Sequence, residues 1–227
     1  MKKNYIYKMI IGTARLYSSL FLQMDVHWHE RPPAGPKLFI ANHPSASDPF
    51  LIHLLSEQHM AVLLSTNAYK FPVLGFFVRR AGQIEVMPGK GEQILDQARE
   101  LFKVGCSVAI FPEGTFSPQQ GGYQEPKSGA ARLALSTGVP VIPVGIHLLR
   151  ERLVTLSSKV KGKETVGYWY VRGPYGVTVG KSMQFEGNPD DKTQIHATTK
   201  SMMQRIHALA LESQQRLQQL MPATASA

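Results

Sequence analysis

The chain has 227 residues, 43% of them hydrophobic, which fits one domain with ample core and argues against disorder. Its single cysteine excludes an intramolecular disulfide and makes a reducing compartment the default. A net charge of +9 implies partners of negative sign (anionic lipid headgroups, an acidic carrier protein or a phosphorylated cofactor), while nucleic acid is not expected, since no RNA-binding aromatic string or zinc-finger spacing is present.

The stretch 4–22 mixes Ile, Leu, Phe and Tyr with Lys8 and Arg15. Those charges interrupt any run of about 18 uncharged apolar residues able to span a bilayer. No small-residue cleavage site follows, so a secretory signal is not expected. The composition suits an amphipathic helix lying in a membrane interface; a helix packing its apolar face on the domain is the other reading. Arg31-Pro32-Pro33-Ala34-Gly35-Pro36 closes a proline-rich joint that starts at His27. Residues 1–36 are therefore expected to be a membrane-associating helix with its linker, and 37–227 the globular domain.

Apolar runs at 37–42, 61–66, 83–86, 107–112 and 139–146 read as strands. Between 92 and 104, Ile94, Leu95, Ala98, Leu101 and Phe102 share one helical face, with Glu92, Asp96, Arg99 and Lys103 opposite. The alternation predicts an α/β fold with a mixed, largely parallel central sheet flanked by helices. Cys106 opens the fourth run and reads as a small buried hydrophobe. Residues 148–164 form a basic connection whose Arg150, Arg152, Lys159, Lys161 and Lys163 face either lipid phosphate or plain solvent. Strands are expected at 165–171 and 177–185, joined by Gly173-Pro174-Tyr175-Gly176. A final helix over 190–220 is polar enough for the surface, and its end at 222–227 is expected to fray.

Two strings carry chemistry. Asn42-His43-Pro44-Ser45-Ala46-Ser47-Asp48-Pro49 follows the first apolar run. A histidine on a loop leaving a strand can act as a general base, and a nearby carboxylate can fix its tautomer. Asp48-Pro49 also has the form of a helix start, so capping is a competing account of Asp48. The second string, Phe111-Pro112-Glu113-Gly114-Thr115-Phe116-Ser117, follows a buried strand, where α/β sheets place ligands. Gly114 permits close backbone approach, and the stretch 118–123 has the composition of a mobile cover. No G-x-S-x-G is present, so a nucleophile elbow is not expected. His27 and His29 lack the further ligands that zinc requires, and no metal is expected.

Together with Val139-Pro140-Val141-Ile142-Pro143-Val144, these strings resemble the glycerolipid acyltransferase family, whose pattern runs NHxxxxD, GxxxxxR, FPEGTRS and then a Pro-flanked apolar strand. The likeness extends from about Lys37 to about Ile146. It implies transfer of a fatty acyl group from acyl-CoA or acyl-carrier protein to a hydroxyl of a lipid acceptor such as 1-acylglycerol-3-phosphate. It implies no cofactor, and peripheral attachment at the cytoplasmic face of a membrane. His43 would be the base and Asp48 its orienter; Asn42, Glu113, Gly114 and Thr115 would contact the acceptor, and Lys127 its phosphate. Three departures stand out. Phe116 and Pro88 occupy positions where the family has arginine, and Ser65 and Thr66 stand where lysines are common. Arg79 and Arg80 are the nearby candidates to replace those charges. The losses admit two alternatives: a phosphate-poor acceptor (glycolipid or aminolipid), and a non-catalytic lipid-binding protein, which the intact His43/Asp48 pair disfavours.

Overall fold

The structure, a computed structural model, describes residues 5–70, 72–160 and 163–220; of residues 72, 73, 158–160, 163 and 164 it describes the backbone alone. The expected fraying of 222–227 and the charge of Lys161 fall outside the described residues.

Apolar runs without polar alternation make strands that are covered on both faces. In β2 (Leu38–Ala41), Phe39 and Ala41 join one apolar cluster with Ala109, Ile142 and Val144. Leu38 and Ile40 join the opposite cluster with Val108, Ile110 and Val141. β3 (Met60–Ser65), β4 (Ile84–Val86), β5 (Ser107–Ile110) and β6 (Val141–Leu148) complete the expected set. All are parallel in the order β6-β2-β5-β3-β4, so the mixed, largely parallel sheet predicted from sequence is the one observed. β9 (Gly173–Val179) lies antiparallel on β6, and β1 (Leu22–Trp28) lies parallel on β9 at the outer edge.

Three sequence expectations change here. Leu22–Trp28, placed by sequence in the helix-and-linker segment, is a strand of the central sheet. Gly173-Pro174-Tyr175-Gly176 is no connector but the fully buried first half of β9. The basic connection is itself folded: β7 (Leu153–Val160) pairs antiparallel with β8 (Lys163–Tyr170), a two-stranded hairpin separate from the main sheet.

On one face of the sheet pack α5 (Gly91–Lys103), α6 (Gly129–Thr137) and α7 (Lys192–Leu220). Far from being a polar surface helix, α7 lies along β6 and β9. It buries Thr198, Met202, Ile206, Leu209, Ser213 and Leu217, a stripe with helical spacing. The Ser213 hydroxyl in that stripe is satisfied internally, since its Oγ donates to Gly145 O at 2.9 Å and pairs with Thr178 Oγ1 of β9 at 2.7 Å. Gly145 lets the helix backbone touch the sheet, because a Cβ there would meet Ala210 N and the Leu209 carbonyl carbon.

The other face carries α2 (Asp48–Leu51), the 3₁₀ turn Ile52–Leu55 and α1 (Tyr5–Phe21). The inner face of α1 buries Ala14 and places Tyr17 Oη on Tyr170 O, while Tyr7 Oη accepts from Met60 N at 3.0 Å. Its outer face leaves Tyr5, Met9, Leu16 and Leu20 exposed in one stripe. Among the described residues no helix is long and apolar enough to cross a membrane.

Gly145→Ala must push α7 off the sheet, and overpacking of this kind costs about 1–3 kcal/mol. A lowered urea midpoint is the expected result; an unchanged one contradicts the α7 packing.

Candidate active site

β2 and β5 are adjacent and parallel, in register from Leu38↔Val108 to Ile40↔Ile110. The loops leaving their C-terminal ends therefore start side by side, at the edge where such sheets hold ligands. Asn42 fixes the first loop's origin. Its Nδ2 donates to Ile146 O at 2.8 Å and its Oδ1 accepts from Ile146 N at 2.7 Å, tying the end of β2 to β6. Both ends of the amide are thereby occupied, so Asn42 is a structural clamp rather than the expected acceptor contact.

Glu113 ties the two loops together. It is 2% exposed, and its Oε1 accepts from His43 N at 3.1 Å and Ser117 Oγ at 2.6 Å, its Oε2 from Gln124 N at 2.8 Å. Ser117 N returns a bond to His43 O at 2.8 Å. A carboxylate this buried and this fully paired faces inward, so Glu113 also supports the site instead of contacting an acceptor.

Asp48 is fully buried. Its Oδ2 accepts from His43 Nδ1 at 2.9 Å and Ser45 N at 2.8 Å, and its Oδ1 accepts from Tyr175 Oη at 2.8 Å. Capping does not explain it: Ser47 is the N-cap of α2, and Asp48 spends its oxygens on the histidine, a backbone amide and a tyrosine. Burial, reinforced by the neighbouring Asp48 charge, holds the Tyr175 hydroxyl well above the usual tyrosine range, so it stays a donor. With Nδ1 committed to Asp48, the proton-free nitrogen of a neutral His43 is Nε2. The imidazole stacks on Phe111 with centroids 4.4 Å apart and touches Phe116 at 4.7 Å.

His43 opens onto a cavity of about 1410 Å³ with mostly apolar walls. Gly114, Thr115 and Lys127 line it. Gly114 has φ +66°, and the Lys127 stem lies 2.7 Å from where a Cβ would stand. Arg79 and Arg80 do not line it. Arg79 donates to Tyr69 O at 2.9 Å and covers the Tyr69 ring, while Arg80 lies over the Phe76 ring. The arginine that does line it, beside Lys127, is Arg132, which pairs with Glu92 at 2.9 Å. Sequence reasoning missed it, and also missed Tyr175, which is 127 residues from its partner.

Glu212 on α7 does come up to His27 and His29, with ligand atoms within 4.8 Å. Arg205 donates to His29 Nδ1 at 3.3 Å, so the ring proton sits on Nε2 facing Glu212 at 2.9 Å. Arg216 stands 3.7 Å from Glu212. Cys106 is buried and its thiol is raised by that burial.

Tyr175→Phe removes one of three donors to a buried carboxylate and is expected to lower stability by about 1.5–3 kcal/mol in chemical denaturation. His53, 4% exposed in the cavity wall, is pushed down from 6.5 to about 4 by burial, although its Nδ1 bonds to Pro49 O. Its folded pKa lies below its unfolded one, so the unfolded chain takes the proton first and stability is lost as pH falls from 6.5 towards 4. The loss reaches about 3 kcal/mol below that window. His53→Leu should flatten the stability–pH curve there; an unchanged slope refutes the assignment.

The family model described as Acyltransferase matches residues 23–147, starting inside β1. A chloroplastic 1-acyl-sn-glycerol-3-phosphate acyltransferase, BAT2 of Brassica napus, is 31% identical over 140 residues, covering 58% of this chain and 40% of the relative. The 1-acyl-sn-glycerol-3-phosphate acyltransferase of Pseudomonas aeruginosa is 28% identical over 129 residues, 54% of this chain and 49% of that one. The chain thus spans between two fifths and half the length of these curated relatives. The crystal structure of PlsC, the 1-acyl-sn-glycerophosphate acyltransferase of Thermotoga maritima, shares the fold, with a TM-score of 0.65 at 22% identity over 98% of this chain and 82% of that one. With its family match covering more than half the sequence and both motif loops inside it, the chain belongs to the acyltransferase family.

Proposed function

We propose that this chain moves a fatty acyl group from an acyl-CoA or acyl-carrier-protein thioester to a hydroxyl of a lysophospholipid such as 1-acylglycerol-3-phosphate. The observation that carries this reading is the His43–Asp48 pair, fixed at the mouth of a large apolar cavity. A thioester carbonyl is already electrophilic, so the alcohol is the partner in need of help. His43 Nε2 takes the hydroxyl proton as the oxygen attacks the carbonyl, and Asp48 supports the resulting imidazolium. The C–S bond then breaks, and the leaving thiolate recovers the proton from His43. No enzyme nucleophile is required, and no nucleophile elbow is present in the sequence.

The apolar walls, including Leu64, Phe77, Val86 and Leu95, suit acyl chains. Lys127 stands at the start of α6 without an acidic partner among the described residues, and supports a phosphate contact for the acceptor. Arg132 is the weaker candidate because Glu92 already holds it. The outer apolar stripe of α1 supports peripheral attachment to a membrane surface, with the cytoplasmic face the natural side for either thioester donor.

One observation favours a second reading, acylation of a phosphate-poor lipid. Phe116 places a ring against His43 where the family carries a guanidinium, and Arg79 and Arg80 do not replace that charge.

His43→Ala should lower turnover by about 10²- to 10⁴-fold with the melting temperature intact. Near-normal turnover in that variant would sink the mechanism. A charge-assisted bond to phosphate is worth about 1.5–3 kcal/mol, roughly ten- to a hundredfold. Phe116→Arg should raise the use of lysophosphatidate relative to an uncharged lyso-lipid by about that ratio, and Lys127→Ala should lower it. If neither substitution moves the acceptor ratio, the headgroup is held elsewhere.

A further inference from the structure

A second hollow, of about 730 Å³, lies between the end of α1 and the base of the β7–β8 hairpin. Its walls are Leu20 and Phe21 of α1 and Val154 and Val171 at the hairpin base, each at least 43% exposed. Into it project Arg152 and Arg172, neither of which makes an ion pair among the described residues, and no acidic residue lines it. The Arg152 guanidinium rests over Gly173, where a Cβ would come within 2.8 Å of its Nη1. Two unpaired cations inside an exposed apolar rim match an amphiphile that brings both an anion and hydrocarbon. A soluble anion has no use for the rim, and an uncharged lipid has none for the arginines.

Both elements that border the hollow also border the catalytic cavity. Ile10 of α1 lines the large cavity, and ten residues on, roughly 15 Å along the helix, Leu20 lines the second hollow. The hairpin register puts Val154, Leu156, Gly167 and Trp169 on one face. Val154 faces the hollow, while Leu156 and Trp169 wall the large cavity, with Leu156 55% exposed.

We propose that this groove seats the anionic headgroup of a bilayer phospholipid, so that α1 and the hairpin together hold the mouth of the catalytic cavity against the membrane. This rests on the reading above that the acceptor is a bilayer lipid. It adds a docking site distinct from the acceptor pocket.

The test is co-sedimentation of the full chain with phosphatidylcholine vesicles, with and without phosphatidylglycerol. At roughly fivefold per cation near an anionic surface, Arg152→Ala with Arg172→Ala should weaken partitioning onto the phosphatidylglycerol vesicles about 30-fold and change partitioning onto pure phosphatidylcholine little. Arg152→Lys with Arg172→Lys should retain it, which keeps the test informative should the alanine pair fold poorly. Val154→Asp should weaken binding to both vesicle types. Unchanged partitioning of the alanine pair onto anionic vesicles overturns the proposal. So does competition by inorganic phosphate at matched ionic strength, which would make the groove a soluble-anion site. Turnover of a water-soluble short-chain acceptor should be the same in wild type and alanine pair. If neither turns it over while the partitioning difference holds, the acyl-transfer reading fails and the membrane groove stands.

Discussion

A carboxylate with no solvent contact, Asp48, sets the geometry on which the site depends. Burying a charge costs several kcal/mol unless its lone pairs are met. Here they are met by a tyrosine from β9, a backbone amide three residues upstream and the histidine it serves. Two of these partners are local, but Tyr175 comes from 127 residues away. The motif loop can hold its shape only when β9 is seated on β6, and β9 in turn is covered by α7. The small motif is therefore a readout of the completed fold.

The same economy holds one layer out. Asn42 and Glu113 sit where an acceptor contact was expected, yet each spends its polar atoms inside the protein. Their work is to lock the two loops to the sheet and to each other, so that the His43 ring is held before any substrate arrives. Open to the cavity are the imidazole, the Gly114-Thr115 turn and the Lys127 ammonium, which has no acidic partner among the described residues. Phe116 makes that opening more apolar by lying against the ring of His43 at 4.7 Å, and Tyr168 of the hairpin backs it at 5.6 Å. The hairpin thus backs the His43 loop, and Tyr168 O also accepts from Ala46 N at 2.7 Å.

How much of this was legible in the chain follows from how far apart the partners lie. The inner parallel strands were readable because burial on both faces leaves uninterrupted apolar runs. β1 was not, since only Leu22 of its seven residues is buried and proline follows. β9 was hidden by a glycine and proline composition that usually marks a turn, although all seven residues are buried. The buried stripe of α7 was disguised by Thr198 and Ser213, whose hydroxyls are paired or sheltered only once the helix is docked. In the site, His43 and Asp48 share one loop and could be paired on sight, whereas Tyr175 had no local signal. Arg79 and Arg80 show the reverse error: closeness in sequence to a motif does not say which side of a helix faces the cavity.

The central claim is that Asp48 holds His43 as the Nδ1-protonated tautomer, leaving Nε2 bare for the acceptor hydroxyl. Imidazole ¹⁵N chemical shifts of the His43 ring, recorded at a pH where it is neutral, measure this directly. The account predicts a protonated Nδ1 and an unprotonated Nε2 in the wild type, with the preference lost in Asp48→Asn. A wild-type ring protonated at Nε2 would contradict it.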